Sequence, residues 1–145
     1  MKIHVKKLRP NAKIPTRGSE LAAGYDLYAC MDEAITVEPG GIAKIPTGLA
    51  IEIPEGYAGL IYARSGLATK KGLAPANKVG VCDSDYRGEY IVFLHNHSKV
   101  YATIEPNERI AQLVVTPFLS VTFEEVDVLT ETKRGEGGFG STGRM

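Results

Sequence analysis

Several short stretches of the chain hold residue types suited to a phosphorylated, ring-bearing small molecule. One is Arg134-Gly135-Glu136-Gly137-Gly138-Phe139-Gly140-Ser141-Thr142-Gly143-Arg144, with five glycines, one aromatic ring, two hydroxyls and two guanidinium groups. Glycine amides and Ser/Thr hydroxyls approach phosphate oxygens closely, a guanidinium such as Arg134 grips them with a fork, and Phe139 can cover a flat ring. Ordering such a backbone costs about 1–2 kcal/mol per residue, with almost no apolar area to offset it. The segment is therefore expected to be loose by itself and to serve as a lid over a nucleotide. A frayed terminus is the competing reading, and the single Phe between arginines argues against it.

A second stretch, Arg64-Ser65-Gly66, follows a strand and opens a short helical candidate, so amides, a hydroxyl and a guanidinium converge on an anion-binding position. A capped helix start with a surface arginine fits the tripeptide equally well. Asn77 to Glu89 is the most chemically crowded run: Val79 to Cys82 reads as the lead-in of a hairpin, Asp83 to Gly88 as its wide bend, and Glu89 onward as the way out. Open main-chain groups there could read the edge of a base. Asp83, next to apolar Val81 and Cys82, could serve as general base for a water, although Asp83, Ser84 and Asp85 are also ordinary turn formers. Asp26, in Ala23-Gly24-Tyr25-Asp26-Leu27, and Gln112, in Ala111-Gln112-Leu113, are polar residues in apolar strands and need specific partners. For Asp26 those could be an arginine, a backbone donor or a metal-bound water.

Two other pairings carry less. His95 and His97 share a strand face as an i, i+2 pair, but two ligands are fewer than a zinc site uses. They are expected to be surface or interface histidines. Cys82 is expected to be a packed thiol whose apolar surroundings raise its pKa.

The elements that must position these groups read as an all-β succession of short runs separated by Pro, Gly and Asn/Asp. Expected strands are Ile3 to Leu8, Tyr25 to Ala29, Ala34 to Val37, Ile42 to Pro46, Leu49 to Ile53, Tyr57 to Ala63, Val79 to Cys82, Glu89 to Asn96, Tyr101 to Ile104, Arg109 to Pro117 and Val121 to Val126. Alternation in Leu49-Ala50-Ile51-Glu52-Ile53 calls for one buried face, whereas Tyr90 to Leu94, apolar throughout, calls for cover on both, within a sandwich or against another subunit. The one helical candidate runs from Ser65, as N-cap, to Gly72, as left-handed terminator.

At 145 residues and 43% hydrophobic, the chain fits one domain, read as residues 1–133 with 134–145 as the lid. With 17 basic and 17 acidic side chains in no like-charged block, neither nucleic acid nor a membrane surface is an expected partner. Without an apolar span, a signal-peptide core or metal-type cysteine spacing between Cys30 and Cys82, a cytoplasmic protein is expected.

Taken in order, the segments Ala23 to Leu27, Arg64-Ser65-Gly66-Leu67-Ala68, Asn77 to Glu89, Arg109-Ile110-Ala111-Gln112-Leu113 and Arg134 to Gly143 resemble the five motifs of the trimeric dUTP pyrophosphatase (dUTPase) family, over almost the whole chain. Cys82 departs from the pattern, replacing the aliphatic residue usual before the Asp. The resemblance implies a jelly-roll-like subunit, a homotrimer with sites at its interfaces, and the reaction dUTP + H2O → dUMP + diphosphate, which limits uracil incorporation into DNA and supplies dUMP for dTMP synthesis. It further implies Asp83 as the residue that activates water for attack on the α-phosphorus. Arg64, Ser65, Gly66 and Gln112 would hold phosphates, with Arg134, Gly140, Ser141 and Thr142 completing the cage and Phe139 stacking on uracil. Asn77, Gly80 and Val81 would contact the substrate from the hairpin, and Tyr86 would pack on the deoxyribose. Mg2+ would be held mainly by substrate phosphates, with Asp26 acting through coordinated water. The rivals are a dCTP deaminase, which resembles dUTPases in fold, and a nucleotide-gated binding protein on the same trimer. The serine-rich, two-arginine form of the second motif associated with deaminases is missing, and a pure binder has no use for Asp83.

Overall fold

The structure, a computed structural model, describes residues 1–143. Arg144 and Met145, the end of the expected lid, lie outside the described residues. The described chain is β throughout apart from one helical turn. Its strands are β1 His4–Lys7, β2 Tyr25–Tyr28, β3 Ile35–Val37, β4 Ile42–Pro46, β5 Leu49–Glu52, β6 Tyr57–Tyr62, β7 Leu73–Pro75, β8 Gly80–Cys82, β9 Ile91–Asn96, β10 Ala102–Ile104 and β11 Arg109–Pro117. They form four antiparallel sheets ordered β1-β5, β3-β10, β2-β11-β6-β8 and β4-β9-β7.

Alternation fixes which faces meet. Ala43 and Ile45 of β4, Leu49 and Ile51 of β5, and Val92 and Leu94 of β9 point into one core with Leu27, Leu73, Ile104 and Ile110. Each of the larger ones, Val, Leu or Ile, contributes about 1.5–3 kcal/mol by leaving water. The Tyr90 to Leu94 run is covered on one face only in this chain: Phe93 is exposed while Val92 and Leu94 are buried.

A bulge in β11 matters for the site. The register with β2 shifts between Arg109 and Ala111, so that Arg109 opposes Tyr28 and Ala111 opposes Leu27. The extra residue lets Ile110 and Ala111 both lie in the core and returns Gln112 to the opposite face.

Three sequence expectations are corrected. Asn77 to Glu89 is not a hairpin, because β8 pairs with β6 whereas β9 pairs with β4 and β7. The bend crosses between sheets, and Tyr90 docks on the β4–β5 junction through Tyr90 N–H to Leu49 O at 2.8 Å and Thr47 N–H to Tyr90 O at 3.2 Å. The helical candidate is a π turn, Leu67–Lys71, that Ser65 does not cap with its side chain; the Ser65 carbonyl instead accepts the Thr69 hydroxyl at 2.7 Å. Gly72 does end it left-handed, at φ 70°, with its N–H on Leu67 O. Finally, Val121 to Val126 forms no strand. Among the described residues, the last main-chain bond to the body is Phe118 N–H to Gly56 O, and beyond it an apolar alternation has no ladder to join. No helix among the described residues is long and apolar enough to cross a membrane.

Candidate functional site

Asp26 on β2 and Gln112 on β11 stand directly opposite each other, and Gln112 also faces Tyr62 on β6. Opposed residues share a sheet face, so Asp26, Gln112 and Arg64, two residues beyond Tyr62, converge. Arg64 Nε donates to Asp26 Oδ1 at 2.8 Å, and Arg109 Nη1 donates to Asp26 Oδ2 at 3.3 Å. The buried carboxylate thus has two cationic partners. Gln112 Nε2 donates to Ala63 O at 2.8 Å, at the root of the loop that carries Arg64. Its Oε1 occupies the space above Gly24, where a Cβ would lie 2.1 Å away. Together with Ser65 and Gly66 these groups line a cavity of about 190 Å³. Two guanidiniums against one carboxylate leave it net positive, as an anion requires.

Asn77, Gly80, Val81, Asp83 and Tyr86 form a second group on and around β8. This strand is the edge of its four-stranded sheet, paired with β6 on one side only, so its other main-chain edge is open to a ligand. The amide of Asn77 packs behind Gly80, where a Cβ would stand 3.2 Å from Nδ2. Val81, Asp83 and Tyr86 are exposed. The bend begins with Tyr86 N–H to Asp83 O at 3.2 Å, and Tyr86 Oη donates to Glu89 O at 3.0 Å. Burial pushes the Cys82 thiol up, partly opposed by the neighbouring Tyr90 hydroxyl. That phenol is itself buried, and burial likewise raises its pKa.

The third group is the tail. Arg134 Nε donates to Gly137 O at 2.6 Å, and Phe139, Gly140, Ser141 and Thr142 are exposed. None of them reaches the other two groups of its own chain. The histidine rings lie 6.4 Å apart, with His97 Nε2 bonded to Ala68 O at 3.1 Å. Among the described residues no three His, Cys, Asp or Glu side chains are grouped to hold a metal ion.

Of the second group, Gly80 opposes Ile61, three residues from Arg64, but Asp83 stands apart from Arg64. Cys82 opposes Gly59 on β6, so Asp83 falls level with Ala58, six residues from Arg64 on the same strand and its extension. At about 3.3 Å per residue the separation is about 20 Å. Arg109 and Gly24 were not singled out from sequence. Arg109 reaches Asp26 only through the bulge, and Gly24 matters because of a residue 88 positions away; both sit inside motifs, which was the available signal.

The dUTPase family model matches residues 10–143. The chain is 49% identical over 132 residues to the deoxyuridine 5'-triphosphate nucleotidohydrolase of Bordetella avium, covering 90% of this chain and 89% of the relative. It is 52% identical over 132 residues to the nucleotidohydrolase of the same name from Desulfitobacterium hafniense, covering 90% and 87%. Among solved structures it resembles the dUTPase of Staphylococcus bacteriophage 80alpha with dUpNHpp, at TM-score 0.89 and 32% identity over 99% of both chains. It also resembles a variant of the dUTPase of S. aureus phage phi11 described with a structural Mg(II) ion, at TM-score 0.78 and 27% identity over 88% of this chain and 98% of that one.

Proposed function

The chain belongs to the dUTPase family and hydrolyses dUTP to dUMP and diphosphate, and on that premise we propose that three copies form a homotrimer whose sites each draw on more than one subunit. What carries this is the register of β8 on β6, which, continued to Asp83 and Arg64 at about 3.3 Å per residue, puts them about 20 Å apart. Neither half suffices alone: the anion cavity, about 190 Å³, is below the range of about 300–1,000 Å³ usual for small-molecule sites. The exposed face of β9 and the apolar arm from Phe118 to Leu129 are the surfaces that such an assembly buries.

In this reading Arg64, Ser65, Gly66 and Gln112 of one subunit hold the phosphates. Another subunit supplies the β8 edge, where Asn77 and the main chain of Gly80 and Val81 meet uracil, and Tyr86 packs on the deoxyribose. Uracil offers an acceptor where cytosine offers a donor, so fixed main-chain groups that suit one leave unpaired buried groups against the other. Asp83 takes a proton from the water that attacks the α-phosphorus, and diphosphate leaves. The tail brings Arg134, Gly140, Ser141 and Thr142 to the phosphates and lays Phe139 on the base, excluding water.

Mg2+, when bound, would be held mainly by the substrate phosphates and would offset their charge. Both Asp26 oxygens already accept from arginines, which suits a carboxylate that meets the ion through coordinated water rather than as a direct ligand. We place the protein in the cytoplasm, a reducing compartment in which free Cys30 and Cys82 persist.

The test is Asp83→Asn, assayed for diphosphate release from dUTP, dCTP, dTTP and UTP beside the unmodified protein. The variant should bind dUpNHpp normally and lose roughly 10²–10⁴-fold in turnover, the scale of a positioned base. Near-normal turnover would remove Asp83 from the mechanism. A solution mass below three chains would remove the trimer.

A further inference from the structure

The bend that carries Asp83 and Tyr86 is tied down at three places. β8 fixes its start through pairing with β6. At its end, the Glu89 carboxylate accepts from the Arg9 guanidinium and, at 2.8 Å, from Gly48 N–H. The apex between them is held by Tyr86, whose Oη donates to Glu89 O and whose ring packs on Tyr90, and by one side chain that reaches β5. Arg87 Nη1 donates to the carbonyls of Ser84, at 2.7 Å, and Tyr86, at 3.2 Å, while Nη2 donates to Glu52 Oε1 on β5 at 2.9 Å. The other oxygen of Glu52 is engaged by His4 Nδ1 on β1 at 2.8 Å. One guanidinium therefore bonds the apex with one nitrogen and a strand of the body with the other.

We propose that Arg87, oriented by Glu52, is a positioning residue that sets where Asp83 and Tyr86 stand against the substrate, and so governs both turnover and the preference for deoxyribose. The inference rests on the roles given above to Asp83 and Tyr86. The Arg87 and Glu52 side chains are 58% and 45% exposed, and such pairs contribute little to folding stability. What the pair supplies is direction. A planar fork fixes the apex in two bonds at once, which a lysine ammonium on a flexible stem does not reproduce. Loss of register at the apex displaces the water-activating carboxylate, and reactions that depend on near-attack geometry respond steeply to displacements of about 1 Å. The same displacement draws Tyr86 off the sugar and opens room for a 2′-hydroxyl.

Glu52→Gln, Arg87→Gln, Arg87→Lys and the double variant Glu52→Gln/Arg87→Gln, with Asp83→Asn as control, should be compared by kcat and KM for dUTP and for UTP, and by Tm. We expect kcat for dUTP to fall about 3-fold in Glu52→Gln and about 10-fold in Arg87→Gln, with Arg87→Lys between them. The double variant should be no worse than Arg87→Gln, the dUTP-over-UTP preference should fall in parallel, and Tm should stay within about 3 °C. Unchanged kcat and preference, losses that multiply, or a fall in Tm without a fall in kcat each overturn the proposal. Normal turnover in Asp83→Asn is a different failure, of the base assignment itself. If Arg87→Gln does not fold, the milder Glu52→Gln and Arg87→Lys still decide the matter.

Discussion

Gly24→Ala is the substitution whose effect follows most directly from the geometry. The Cβ it adds would stand 2.1 Å from Gln112 Oε1, 3.0 Å from Cδ and 3.2 Å from Cβ. Gly24 is not among the residues with positive φ, so the change introduces crowding and no backbone strain. The obstacle is the far end of a side chain, which can swing away. Doing so breaks the 2.8 Å bond from Nε2 to Ala63 O, a net cost to stability of about 0.5–1.5 kcal/mol. The variant should therefore fold and assemble with a modestly lowered Tm. Its activity should suffer more, because the displaced amide no longer serves the phosphates. A hydrogen bond to a charged group is worth about 1.5–3 kcal/mol, which corresponds to a loss of roughly 10- to 150-fold in kcat/KM. Steady-state kinetics on dUTP for Gly24→Ala, Gln112→Ala and their combination checks this. Gly24→Ala should match Gln112→Ala, and the double variant should be no worse than either. Multiplying losses, or an unimpaired Gly24→Ala, would refute the claim that Gly24 exists to seat Gln112.

Truncation after Lys133 removes Arg134, Phe139, Ser141 and Thr142 but none of the buried core; Tm and solution mass should hold while kcat/KM for dUTP falls, and loss of the trimer would show the segment to be structural. Cys82, its thiol pushed up by burial, should react with iodoacetamide more slowly than free cysteine at neutral pH, read by mass spectrometry of the intact chain. Because the folded state favours the neutral thiol, its contribution to stability is complete below the ordinary value of 9.0 and is lost as pH rises through the higher folded value. A serine replacement should flatten that alkaline limb of the Tm profile.

The all-β class and the need of Asp26 and Gln112 for specific partners were legible because their signals are local. Asp26 in an apolar strand demands a partner wherever the chain goes, and two arginines answer it. The bend was misread as a hairpin because two strands flanking a turn look alike whether they pair with each other or with separate sheets. Only the docking of Tyr90 on the β4–β5 junction decides between them. Arg109 and Glu52 were invisible for a similar reason: one acts through a bulge, the other through an arginine 35 residues away. Val121 to Val126 has the composition of a strand, but a strand is a property of a pair, and the arm pairs with no strand among the described residues of its own chain.

That missing partner and the split between Asp83 and Arg64 make one further prediction, which separates a shared site from a self-contained one. Asp83→Asn chains retain an intact anion cavity, and Arg64→Ala chains retain an intact bend. Each variant alone should be nearly inactive under either arrangement. Co-expressed in equal amounts, they should assemble at random, as identical interfaces dictate. If each site takes its cavity from one subunit and its bend from another, half the cavities and half the bends are intact independently. About one site in four is then whole, and the mixture should recover about a quarter of the activity of the unmodified protein. If both groups came from the same chain, every site would carry one defect and no mixing would restore turnover. Recovery near a quarter requires exchange between subunits. Its absence, with mixed trimers confirmed by mass, would mean that the 20 Å gap along β6, estimated at about 3.3 Å per residue, is closed within one chain after all.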